Sequence, residues 1–123
     1  MSALLTSLPG DIPGLLRHGS PVLWGDEPCL VQCSLDGAYQ RVDGDVGGTP
    51  DPSELKLDLT DETGRSHAAR WAMDHWRRMS SPQGALTYAE QRRCRDALDY
   101  RDMDRTELDE LALLVLRLAG RAS

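Results

Sequence analysis

The spacing of apolar residues changes once along this chain. From 21 to 60 it alternates with a period of two, as in strands with one buried face. Pro21-Val22-Leu23-Trp24 predicts a short strand, ended by Gly25-Asp26-Glu27-Pro28. The next run puts Cys29, Val31, Cys33 and Leu35 on one face. Asp36-Gly37 predicts a two-residue hairpin turn, because both central positions need positive φ. Folding about it pairs Leu35 with Ala38, Cys33 with Gln40 and Val31 with Val42, which keeps one face mostly apolar. Leu55, Leu57 and Leu59 alternate with Lys56 and Asp58 in the clearest strand. The expected product is a small antiparallel sheet with one wet face.

Beyond Thr60-Asp61-Glu62-Thr63-Gly64 the period becomes helical. Over 66–79 a turn of 100° per residue gathers Ala68, Trp71, Ala72, His75, Trp76 and Met79 on one face. Arg70, Asp74, Arg77 and Arg78 take the other, and Asp74 is spaced to pair with Arg78. A second helix is predicted over 87–101, where Thr87 and Glu90 form a capping box. Ala89, Cys94, Ala97, Leu98 and Arg101 lie roughly along one side of it. Asp104 or Thr106 caps a third helix that Gly120 stops. Strands first and helices after predict an α+β domain, a meander sheet packed on about three C-terminal helices. Residues 1–20 read as a turn-rich lead-in, since Pro9, Gly10, Pro13, Gly14 and Pro21 leave room for one short helical turn, stopped at Gly19.

Composition narrows the class. At 123 residues, with 40% hydrophobic content, the chain suits one domain, 1–123, divided into the lead-in, a β-rich part over 21–60 and an α-helical part over 65–120. Phe is absent, so Leu, Val, Ala and three Trp must fill the core. There is no apolar run long enough for a transmembrane helix, and the N-terminus lacks the basic start and apolar core of a signal peptide. Three Cys residues are an odd set, read as reduced thiols of a cytoplasmic protein. Thirteen Arg against one Lys points to a GC-rich bacterial or phage genome. Residues 1–62 carry three basic and eleven acidic groups, a balance of −8, whereas 63–123 carry eleven and nine, a balance of +2. The acidic half repels phosphate backbones, so any nucleic-acid role falls to the second half.

Four sets of residues are candidates for chemistry. Asp43 to Glu54 has the acids Asp43, Asp45, Asp51 and Glu54, with Gly48, at the spacing of a calcium loop. Gly47 stands where a ligand is wanted, Pro50 cannot donate a bracing bond, and the flanks are strands. An exposed acidic connection is the favoured reading, with no metal and no cofactor. His67 and His75 lie eight residues apart on a helix, too far to share one ion, and there is no metalloprotease or nucleophile motif. Arg70, Arg77, Arg78, Arg92, Arg93 and Arg95 form the alternative, a nucleic-acid surface on two helices, though interleaved acids favour ion-paired faces. Lastly, Leu108, Leu111, Leu114, Val115 and Leu118 make a broad stripe with Leu113 and Leu116 left over, as in a core helix or a protein interface. Trp24 and Tyr39 are further anchor candidates. The resulting expectation is a small non-enzymatic, regulatory protein-interaction module, encoded by a phage or mobile element, that binds a partner protein or itself.

Overall fold

A computed structural model describes residues 5–25, 27–33, 40–43, 51–78, 86–99 and 101–120. The chain is α+β. Strands β1 (Ser7–Pro9), β2 (Pro21–Trp24), β3 (Glu27–Cys33), β4 (Gln40–Asp43) and β5 (Leu55–Asp58) form one antiparallel sheet in the order β1-β5-β2-β3-β4. Helices α1 (Glu62–Arg78), α2 (Tyr88–Leu98) and α3 (Arg105–Leu118) follow. The run β2-β3-β4 is the expected meander, and β5 returns to the other side of β2. Val31 pairs with Val42 and Cys33 with Gln40, the register expected from the sequence. The Asp36-Gly37 turn itself lies outside the described residues.

Alternation builds the sheet's two faces. Leu8, Leu57, Val22 and Cys29 stand in one row across four strands, and all four are buried. Leu55, Leu57 and Leu59 are buried while Lys56 is exposed, so this strand folds as its pattern requires. The lead-in contributes more than the expected loop. Its β1 closes the sheet edge against β5, and Ile12, Leu15 and Leu16 enter the core. The Leu5 amide reaches across to the Asp109 carboxylate at 2.9 Å, tying this segment to α3.

The first helix begins at Glu62, four residues earlier than the expected start at Ser66. Asp61 caps it, accepting from the Thr63 amide at 2.8 Å. Gly64 is therefore a helical residue and does not precede the helix. A Cβ there would stand 1.9 Å from the Asp58 carbonyl oxygen, so the first turn of α1 lies directly against the end of β5. Ala68, Ala69, Trp71 and Ala72 are buried between the sheet and the other helices, for α1 touches β2 and β5 as well as α2 and α3. Met79 lies outside the described residues.

The second helix has the expected cap, and of the two candidates for the third the structure selects Asp104. Thr87 and Glu90 form a complete capping box, as do Asp104 and Glu107. The second helix stops at Leu98 rather than 101, and its inner side is narrower than expected. Cys94 and Ala97 are buried and Leu98 partly so, whereas Ala89 and Arg101 are exposed. None of the helices among the described residues is long and apolar enough to cross a membrane.

Candidate functional site

Helices α2 and α3 run antiparallel, as their ion pairs show. Arg117 reaches back to Glu90 at 2.7 Å, and Arg93, one turn further along α2, meets Glu107 at 2.6 Å and also Glu110. These pairs bridge the helices at the rim of a groove of about 460 Å³. Ala89, Leu113 and Leu114 supply its apolar lining. Leu113 is 48% exposed there, one of three large exposed hydrophobics among the described residues with Leu30 at 53% and Tyr88 at 81%.

The expected interface stripe is not this surface. Leu108, Leu111, Leu114, Val115 and Leu118 are all buried within the chain, because α3 packs on α1 and reaches β1. That side of the helix is core, and the residue left facing outward is Leu113, with Leu116 half-buried. Trp24 is partly buried against the core and borders a shallow hollow with Gly25, Glu27 and Glu54. Tyr39 lies outside the described residues.

Five of the six arginines are exposed, on two helices, and the sixth is ion-paired. Arg93 is committed to Glu107 and Glu110. Arg92 and Arg95 are exposed, and with Tyr88 and Gln91 they line a shallow pocket of about 200 Å³ on α2. Arg70, Arg77 and Arg78 are exposed on α1. Asp74 pairs with Arg17 of the lead-in at 3.3 Å, not with Arg78 as the i,i+4 spacing suggested. Asp96 pairs with Arg101 at 3.7 Å. Such exposed pairs each contribute less than about 1 kcal/mol.

Of the acids in the 43–54 segment, Asp43 ends β4 and Asp45 lies outside the described residues. Asp51 and Glu54 brace a short 3-10 turn at Pro52–Glu54. Asp51 accepts from the Ser53 amide and hydroxyl, both at 3.0 Å, and these bonds lower its pKa. Glu54 accepts from the Asp51 amide at 2.9 Å. Their carboxylates thus serve the local turn, and the described residues contain no cluster of three or more groups suited to a metal ion.

Two nucleophiles are closed to substrate. Cys94 is fully buried, and burial together with Glu90 pushes its thiol up to about 12, so it stays protonated. Ser20 Oγ lies 2.7 Å from His67 Nδ1, a contact the sequence did not suggest across 47 residues. Ser20 is fully buried and already accepts from the Arg17 amide at 2.8 Å. Its hydrogen and its second lone pair are both still open to Nδ1, so the contact is a hydrogen bond in either imidazole tautomer. Burial, then Arg17 and Arg70, lower the His67 pKa against the opposing effect of Asp61, which favours the neutral imidazole. The pair is a pin between the lead-in and α1.

A second pin is Arg65, only 5% exposed, whose Nη1 donates to the carbonyls of Leu59 at 3.4 Å and Thr60 at 3.2 Å. The third is Trp71, whose indole N–H donates to the Pro13 carbonyl at 2.9 Å while its ring stacks on His75. His75 was expected to pack in the apolar arc, and this stack is that packing. No protein-family model matches the sequence, and comparison with curated proteins and with solved structures finds no match to it.

Proposed function

We propose that this chain is a non-enzymatic protein-interaction module of the cytoplasm, with the α2–α3 groove as its docking surface and a second copy of the chain as occupant. The observation that carries it is Leu113, half exposed in an apolar groove whose rim holds both signs of charge. A patch that joins exposed apolar surface to both signs of charge has what it needs to meet a copy of itself. That is what a two-fold contact requires, since each copy presents the same surface. Burying Leu113 in the groove of the other copy removes apolar area from water at about 25 cal/mol per Å². The groove spans Glu110 to Arg117 of α3, roughly 10 Å of helix. A face about 10 Å long and two helix diameters, roughly 20 Å, wide covers on the order of 200 Å², short of the roughly 800 Å² per partner of a standard interface, so the pairing is weak and responds to concentration. A regulatory module that assembles and separates suits such an affinity.

A dilution series followed by amide NMR tests this. Shifts that move with concentration should cluster at Ala89, Arg93, Leu113, Leu114 and Arg117. Shifts centred on Leu30 and the sheet face would place the contact elsewhere, and a partner protein that binds this groove while the chain stays monomeric would replace self-pairing.

A second reading rests on the outer face of α2. Tyr88, Arg92 and Arg95 follow one another at i, i+4 and i+7, all exposed. A single strand of nucleic acid laid there would stack on the ring and meet two guanidinium groups. Binding of a labelled oligonucleotide at about 50 mM salt, lost in Arg92→Gln/Arg95→Gln, supports it; no binding at that salt removes it.

A further inference from the structure

A separate cleft lies where the lead-in, α1 and the end of α3 meet. Its volume is about 440 Å³, inside the roughly 300–1,000 Å³ range of small-molecule sites. One stripe of α1 supplies the wall: Trp71, Asp74, His75 and Arg78, at i, i+3, i+4 and i+7. Ile12, Pro13 and Gly14 stand opposite, and Leu118 and Ala119 add apolar surface.

The polar groups are arranged for an anion. Asp74 is neutralised by Arg17 at 3.3 Å. Arg78 makes no ion pair among the described residues, so its guanidinium is the uncompensated charge at the cleft. A guanidinium offers two parallel N–H donors to a carboxylate. The adjoining surface is flat. His75 lies on Trp71 with ring centroids 4.8 Å apart and planes 14° from parallel. Trp71 covers one face of the imidazole, and a third ring that continued this stack would lie on the other. The wall is also held in place before any ligand arrives. Trp71 is fixed through Pro13, and Arg17 through both Asp74 and Ser20.

We propose that this cleft binds a small organic anion with a flat body, of the aryl-carboxylate class. The carboxylate meets Arg78 and the ring lies over His75 between Ile12 and Leu118. Benzoate is the probe. The labelled full chain is titrated with benzoate, acetate and benzamidine while the Trp71 indole N–H and the Gly14 amide are followed by NMR. Benzoate should give saturable shifts at both sites by about 20 mM. Acetate, which lacks the ring, and benzamidine, which reverses the charge, should not. Arg78→Gln should weaken benzoate at least about tenfold, and because Arg78 is exposed the variant keeps its fold. Lack of saturation with benzoate, an equal response to acetate or benzamidine, or unchanged affinity in Arg78→Gln would each overturn the proposal.

Discussion

Adding one methyl group at Gly64 tests the junction on which the helical layer rests. Helix propensity alone says that Ala at this helical position gains about 1 kcal/mol over Gly. The contact says the reverse. A Cβ would stand 1.9 Å from the Asp58 oxygen, 2.9 Å from its carbonyl carbon and 3.3 Å from Pro21 Cγ. Ordinary carbon-to-oxygen contacts begin near about 3.3 Å, so helix or strand must shift on the order of 1 Å. Neither yields easily, since Asp58 is paired in register with Ser7 of β1 and Arg65 holds the carbonyls just beyond it. Overpacking of this kind costs about 1–3 kcal/mol, and backbone contact puts it at the upper end. Set against the propensity gain, Gly64→Ala should lose about 2 kcal/mol. For a chain of this length that lowers Tm by about 8 °C. Thermal unfolding followed by circular dichroism reads it directly. An unchanged or raised Tm would mean that α1 does not begin against β5, and the account of the fold would fail at its centre.

Two further outcomes follow from the same packing. His67 has its pKa lowered on folding, so the folded protein binds fewer protons than the unfolded chain. Its contribution is complete above the ordinary value near about 6.5 and is lost as pH falls through that value toward the folded one. Urea melts should therefore show lower stability at about pH 5.5 than at about pH 7.5, with a smaller difference in His67→Gln; an equal difference in the variant contradicts the pin. Leu111 is fully buried and Leu113 is not. Leu111→Ala should lose about 2–5 kcal/mol in urea unfolding and Leu113→Ala within about 0.5 kcal/mol, whereas equal losses would reverse the assignment of the two sides of α3.

What the sequence made legible was local. Alternation at Leu55, Leu57 and Leu59 predicted a strand and its inner face, and the Val31–Val42 register followed from keeping apolar residues together. The Thr87 and Asp104 caps are contained within four residues each. What escaped was set by partners distant in the chain. Three residues of β1 carry too little pattern to show that they pair with β5, about fifty residues on. The pattern places Gly64 ahead of the helix, because the reason for a glycine within it, close approach to Asp58, is tertiary. The apolar excess of α3 was visible, but not which side the rest of the chain would cover. Arg93 and Asp74 were legible as helix-surface charges, yet their partners came from α3 and the lead-in and not from their own helices. The Ser20–His67 contact had no local signal at all, and the stripe at Trp71, Asp74, His75 and Arg78 becomes one wall of a cleft only once Ile12 to Arg17 is folded opposite.

Sedimentation velocity over a wide concentration range, run on the native chain and on Leu113→Glu, tests the proposed function most directly. Leu113 is half exposed, so the variant keeps its fold while placing a charge in the apolar groove. The native chain should pass from monomer toward dimer as concentration rises, and Leu113→Glu should remain monomeric throughout. A native chain that stays monomeric at every concentration, or a variant that pairs as the native chain does, would contradict the α2–α3 groove as the docking surface.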